Sequence, residues 1–137
     1  MSQNIPQTHE GHNPFGELLG LNFTSLEAGR SRCSLEIRED LYNPYGVVHG
    51  GVIYSLADTG MGGAVYSRLK GDELCSTVEI KIVYFRPVVS GTLTCDSEVI
   101  RRGRRLAFIE SEIRRGDRLI AKATGTFSIF KAEGGLG

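Results

Sequence analysis

Apolar residues recur along this chain with two different periods, and the switches between them mark its elements. Asn13-Pro14 followed by Phe15, Leu18 and Leu19 combines a side-chain cap, a proline at the first helical position and an i, i+3, i+4 apolar face. Closed by Gly20, this predicts a short helix. Over residues 32–37 the period drops to two, with Cys33, Leu35 and Ile37 on one side, which predicts a strand. After Gly50-Gly51 comes a mostly apolar segment long enough for about four helical turns, in a helix read as running from about Val52 to Leu69, until Lys70-Gly71-Asp72 ends it with a basic residue and a glycine. Period two then returns in runs at 76–85, 93–100, 106–113 and 119–130. They are separated by Arg86-Pro87, Ser90-Gly91, Gly103 and Gly116-Asp117.

The order is therefore helix, strand, long helix and an antiparallel meander of four strands. This is an α+β domain with a sheet of about five strands and one central helix. The last strand offers Ala121, Ala123 and Gly125 on one face, which leaves room for a helix to lie close. The long helix answers with Gly60, Gly62, Gly63 and Ala64. Each interior glycine costs a helix about 1 kcal/mol against alanine, so close approach is the expected compensation. Phe108, Phe130 and Tyr84 are read as pointing away from that face, toward an oligomer interface.

With 137 residues the chain makes one domain, taken as 13–131 between tails at 1–12 and 132–137. Sixteen basic residues balance 16 acidic ones, so nothing points to a nucleic-acid or membrane partner. The N-terminus lacks the basic-then-apolar order of a secretion signal. Three cysteines, Cys33, Cys75 and Cys95, form no CxxC pair, and His9, His12 and His49 do not combine with them at ligand spacing. A reduced, cytoplasmic protein with no bound metal is expected.

The chemistry concentrates between Asn43 and Arg68. A polar loop with Asn43 and His49 passes through Gly50-Gly51 into the long helix, and Asp58 is the one carboxylate on that helix. A packing helix has little use for an aspartate there, because burying an unpaired carboxylate is costly. A helix that supplies a base has good use for it. The unpaired N–H groups at the helix start suit a developing negative charge. Gly50 and Asp58 nevertheless lie about 12 Å apart along the helix axis, too far to meet at one reacting carbon. Antiparallel pairing of two such helices across a two-fold axis would bring Gly50 of one subunit to Asp58 of the other.

The spacing N-x5-HGG-x6-D, here Asn43, His49-Gly50-Gly51 and Asp58, resembles the hotdog-fold acyl-CoA thioesterases of the phenylacetate-pathway and 4-hydroxybenzoyl-CoA types. The stretches RRGRRLAF and GDRLIAKATGTF are similar to that family too, so the likeness covers residues 13–131. It implies an antiparallel sheet wrapped around the central helix, and hydrolysis of an acyl- or aroyl-CoA thioester. By the same resemblance Asp58 is the general base or nucleophile, and the Gly50 N–H polarises the thioester carbonyl. Asn43, His49 and Ser76 assist. Ser76 is preferred to Thr77 because it shares the phase of Val78, Ile80 and Ile82. Gly51, Thr77 and Tyr54 border the substrate, and Arg101, Arg102, Arg104 and Arg105 would clamp the coenzyme A phosphates, since arginine suits phosphate geometry. No cofactor is implied, because coenzyme A is part of the substrate. A homodimer is the minimum assembly, and a homotetramer the family's frequent one. A hydratase or dehydratase on the same fold and a non-catalytic acyl-CoA sensor are the alternatives. The first has a local Asp-Asn-Pro-His order whose Pro44-to-His49 spacing departs from the hydratase pattern.

Overall fold

A computed structural model describes residues 13–132; the expected tails at 1–12 and beyond 132 lie outside the described residues. The chain forms α1 (Pro14–Leu19), β1 (Leu21–Glu27), β2 (Arg30–Glu36), α2 (Gly50–Tyr66), β3 (Glu73–Tyr84), β4 (Thr92–Arg102), β5 (Leu106–Arg115) and β6 (Arg118–Lys131). All six strands join one antiparallel sheet in the order β1-β2-β4-β5-β6-β3.

The short helix forms as its sequence dictates. Asn13 Oδ1 accepts from the Gly16 N–H at 3.2 Å, Pro14 needs no partner at the first position, and Gly20 closes the helix in the left-handed region. β1 and the strand order depart from expectation. β1 carries a register shift between Phe23 and Ser25, so its apolar residues Leu21, Phe23 and Leu26 do not keep period two. β1 and β2 join through Ala28-Gly29, both at positive φ, the geometry that matches strand twist in a two-residue turn. β3 does not pair with β4. It runs beside β6, while β4 crosses to lie between β2 and β5. Ser90-Gly91 therefore ends a crossover and not a hairpin.

α2 crosses the inner face of this sheet, and the glycines there allow the approach. A Cβ on Gly60 would sit 2.7 Å from Ser97 Oγ and 3.1 Å from Cys95 Sγ; on Gly125 it would sit 2.6 Å from Met61 Sδ. Leu56, Ala57, Met61, Ala64 and Val65 of α2 are fully buried against Cys33, Leu35, Leu93, Ile109, Ile113 and Ala123. Three buried serines find partners within this layer. Ser31 Oγ donates to the Gly60 carbonyl at 2.6 Å, and Ser97 and Ser111 share a hydrogen bond of 2.6 Å.

The two edges of the sheet are β1 and β3. β3 is 12 residues long, and among the described residues one side of its backbone has no strand beside it. The outer face of the sheet is charged, with ion pairs Arg30–Glu98, Arg32–Asp96 and Arg114–Glu112.

Candidate active site

The loop before α2 is organised by two of the expected site residues. Asn43 Oδ1 accepts from the N–H groups of Tyr45 (2.8 Å) and Val47 (3.3 Å), and its backbone N–H donates to the Val47 carbonyl at 2.7 Å. The asparagine thus folds residues 43–47 into a tight turn. His49 is the helix cap. Its Nδ1 accepts from the Gly51 N–H at 2.8 Å, and its carbonyl accepts from Val52 N–H at 2.9 Å. With Nδ1 accepting, the neutral ring carries its proton on Nε2. These two bonds leave the Gly50 N–H without an acceptor among the described residues, at the positive end of a 17-residue helix.

Two turns on, Asp58 is half-buried, and its Oδ1 accepts from Thr77 Oγ1 at 2.7 Å. This reverses the orientation expected on β3. Ser76 and Thr77 are both exposed in the single chain, but Ser76 makes no hydrogen bond to Asp58, whereas Thr77 faces the helix and does. The cause is a bulge between Thr77 and Glu79: Val78 is the extra residue and lies 57% exposed. Ile80 and Ile82 pack on the core as expected, but below the bulge the inward residues are Cys75 and Thr77. Cys75 lies close enough to Asp58 to feel it. Burial, and then the negative charge of Asp58, push this thiol up to about 11.

Tyr84 also departs from its expected placement. It shares the phase of Ile80 and Ile82, points to the helix side and donates from its hydroxyl to the Gly50 carbonyl at 2.7 Å. The even numbering it shares with Ile80 and Ile82 was the signal for this contact. Burial, and then the neighbouring Tyr54, raise its phenol above the ordinary value. One chain thus places the two candidate groups at different points along β3. Gly50 sits on Tyr84 at one end, and Asp58 sits on Thr77 toward the other.

The arginine cluster divides. Arg102 pairs with Glu73, the two side chains only 12% and 15% exposed, and it also donates to the Gly103 carbonyl at 2.8 Å. That guanidinium ties the end of β4 to the start of β3 and is not open to a phosphate. Arg101, Arg104 and Arg105 are exposed and line a cleft of about 460 Å³ with Leu106, Phe108 and Thr126. No group of three or more histidine, cysteine, aspartate or glutamate side chains able to hold a metal occurs among the described residues. No helix among them is long and apolar enough to cross a membrane.

One long helix against an antiparallel sheet, with a glycine pair at the helix start and a carboxylate two turns in, defines a hotdog thioesterase domain. The chain belongs to the thioesterase superfamily, whose family model matches residues 45–122. A conserved protein of Pseudomonas aeruginosa superposes with a TM-score of 0.82 at 39% identity, over 90% of this chain and 97% of that one. The phenylacetic acid degradation protein PaaI of Thermus thermophilus superposes with a TM-score of 0.78 at 29% identity, over 84% and 97%. A Saccharolobus solfataricus protein, provisionally named an esterase, is 33% identical over 114 residues, 82% of this chain and 75% of its own. The medium/long-chain acyl-CoA thioesterase YigI of Salmonella typhimurium is 28% identical over 134 residues, 86% of each chain.

Proposed function

We propose that this thioester hydrolase acts on acyl-CoA substrates, with Asp58 as the catalytic carboxylate and the Gly50 N–H as the oxyanion donor, in a site shared between two subunits. The observation that carries the reading is the Asp58–Thr77 contact at 2.7 Å: a half-buried carboxylate on an otherwise apolar helix, held in one orientation by a hydroxyl. As general base, Asp58 takes a proton from water while the oxygen adds to the thioester carbonyl. The oxyanion forms against the Gly50 N–H, where one such donor stabilises the transition state by about 3–4 kcal/mol. Collapse breaks the carbon–sulfur bond, and the leaving thiolate takes the proton from Asp58. In the nucleophilic variant Asp58 attacks the carbonyl itself, and water then hydrolyses the mixed anhydride.

Two features support a shared site. Gly50 and Asp58 are separated by about 12 Å of helix, and β3, which carries the partners of both, is an unpaired edge. The cleft with Arg101, Arg104 and Arg105 is the place for the coenzyme A phosphates. The named relatives span phenylacetate breakdown and medium/long-chain thioesters, so the acyl group is the variable to scan. Free-thiol release is measured from phenylacetyl-, hydroxybenzoyl-, short-, medium- and long-chain coenzyme A esters, with Asp58→Asn alongside. Release that vanishes in the variant is the expected outcome. Release that persists undiminished removes Asp58 from the chemistry, and no release from any ester by the folded protein overturns the hydrolase reading.

A further inference from the structure

Hydrogen bonds from one flank of the sheet reach the long helix at even steps. Ser31 Oγ donates to the Gly60 carbonyl at 2.6 Å, and Cys33 Sγ, a weaker donor, lies 3.8 Å from the Leu56 carbonyl. At the turn that opens β2, the Gly29 N–H donates to Ser67 Oγ at 2.7 Å, and that hydroxyl donates to the Ala64 carbonyl at 2.8 Å. Residues 29, 31 and 33 alternate along an extended chain, so these contacts recur about every 6.6 Å. The carbonyls of 56, 60 and 64 recur every four residues, about 6 Å of helix. The two spacings match while the segments run in opposite directions, and three consecutive rungs form.

Each rung is directional where the packing around it is not. Leu56, Met61, Ala64 and Val65 press on the sheet through apolar contact, which tolerates a small turn or slide of the helix. A hydrogen bond weakens steeply once its angle is lost. Asp58 precedes Gly60 by two residues, about 200° around the axis, and so faces the flank of β3, where it meets Thr77 at 2.7 Å. A carboxylate about 6 Å from that axis moves about 1 Å when the helix turns by about 10°. Misplacement by about 1 Å can cost on the order of 100-fold in rate. Resting on the reading of Asp58 as the catalytic carboxylate, we infer that Ser31 is a positioning residue: its bond to Gly60, the middle rung, fixes the rotation of α2 and thereby sets Asp58 against Thr77 on the opposite flank. The Gly60 carbonyl also accepts within the helix, so Ser31→Ala leaves no buried acceptor unpaired. Its loss falls on the orientation of the helix and not on the fold.

Thiol release by Ser31→Ala is compared with that by Ser111→Ala. Ser111 stands in the same transverse row, where Ser31 opposes Ser97 and Ser97 opposes Ser111, but its hydroxyl bonds Ser97 at 2.6 Å and not the helix. Ser31→Ala lowers kcat by about tenfold with KM within about threefold, because the outer rungs still restrain part of the turn. Ser111→Ala keeps kcat within about twofold even where its melting temperature falls. Adding Thr77→Val to Ser31→Ala costs less than adding it to the parent, since both losses act on one contact. Crystal structures of the parent and of Ser31→Ala show the Asp58–Thr77 contact lengthening from 2.7 Å to beyond about 3.5 Å. Parent-like kcat in folded Ser31→Ala, an equal loss in Ser111→Ala, or fully additive effects with Thr77→Val overturns the positioning role. If the parent itself releases no thiol, the hydrolase reading falls by itself and the pair of crystal structures decides: a lengthened contact upholds the hold of Ser31 on α2, and an unchanged one overturns it.

Discussion

Thr77 offers the sharpest test of how the carboxylate is held. Thr77→Val keeps the shape of the side chain and removes the hydroxyl that donates to Asp58 Oδ1 at 2.7 Å. A hydrogen bond to a charged acceptor contributes about 1.5–3 kcal/mol, which corresponds to a fall of about 10- to 150-fold in kcat/KM if it holds Asp58 through the transition state. Both residues retain some solvent access in the single chain, where water can replace the donor, and this places the expectation toward the lower end. Thr77→Ser, which keeps the donor, stays within about threefold of the parent, and Ser76→Ala, whose side chain is exposed, stays within about twofold. The assay is thiol release at several substrate concentrations, with circular dichroism to confirm the fold. Parent-like activity in Thr77→Val, or a larger loss in Ser76→Ala than in Thr77→Val, would refute the assignment.

Four further outcomes are expected. Mixing inactive Asp58→Ala and Gly50→Pro subunits restores thiol release in heterodimers; no recovery despite demonstrated exchange counts against a shared site. Gly60→Ala, whose Cβ meets Ser97 Oγ at 2.7 Å, loses stability because overpacking of about 1–3 kcal/mol exceeds the gain in helix propensity. Gly62→Ala, with the Phe127 ring 3.7 Å away, gains up to about 1 kcal/mol, and urea midpoints at one protein concentration compare the two. Cys75, pushed up to about 11, stays protonated in the folded state while the unfolded thiol ionises from near 9. Its contribution to stability is full below pH 9 and is lost as pH rises to 11, and Asp58→Asn lowers the thiol's titration, read by thiolate absorbance. Arg101→Ala, Arg104→Ala or Arg105→Ala raises KM and flattens its salt dependence, whereas Arg102→Ala lowers the melting temperature by removing the half-buried ion pair that ties the end of β4 to the start of β3.

The long helix, the glycine pair at its start and the small residues beneath it were legible because each is written in local sequence: a period, a glycine, a break. The motif from Asn43 to Asp58 was legible for the same reason. The side chain facing Asp58 was not, because period two carried Ser76 inward and a bulge at Val78 shifts the count by one. A bulge in an edge strand leaves no turn residue to announce it. β1 was missed on similar grounds, since the shift between Phe23 and Ser25 breaks its alternation. The partnership of β3 with β6 depends on a crossover that the Ser90-Gly91 turn signal does not encode. Arg102 was grouped with its neighbours by composition, and only the approach of Glu73 separates it.

A sheet with two open edges is a surface on which further chains can polymerise. In a dimer closed through β3, the outermost strands of the ribbon would be the two β1 strands. Their kink between Phe23 and Ser25 spoils the regular ladder that an incoming strand would need. In such a pairing, growth by strand addition would halt at two chains, and the irregularity that hid β1 from its sequence pattern would also guard against a fibre.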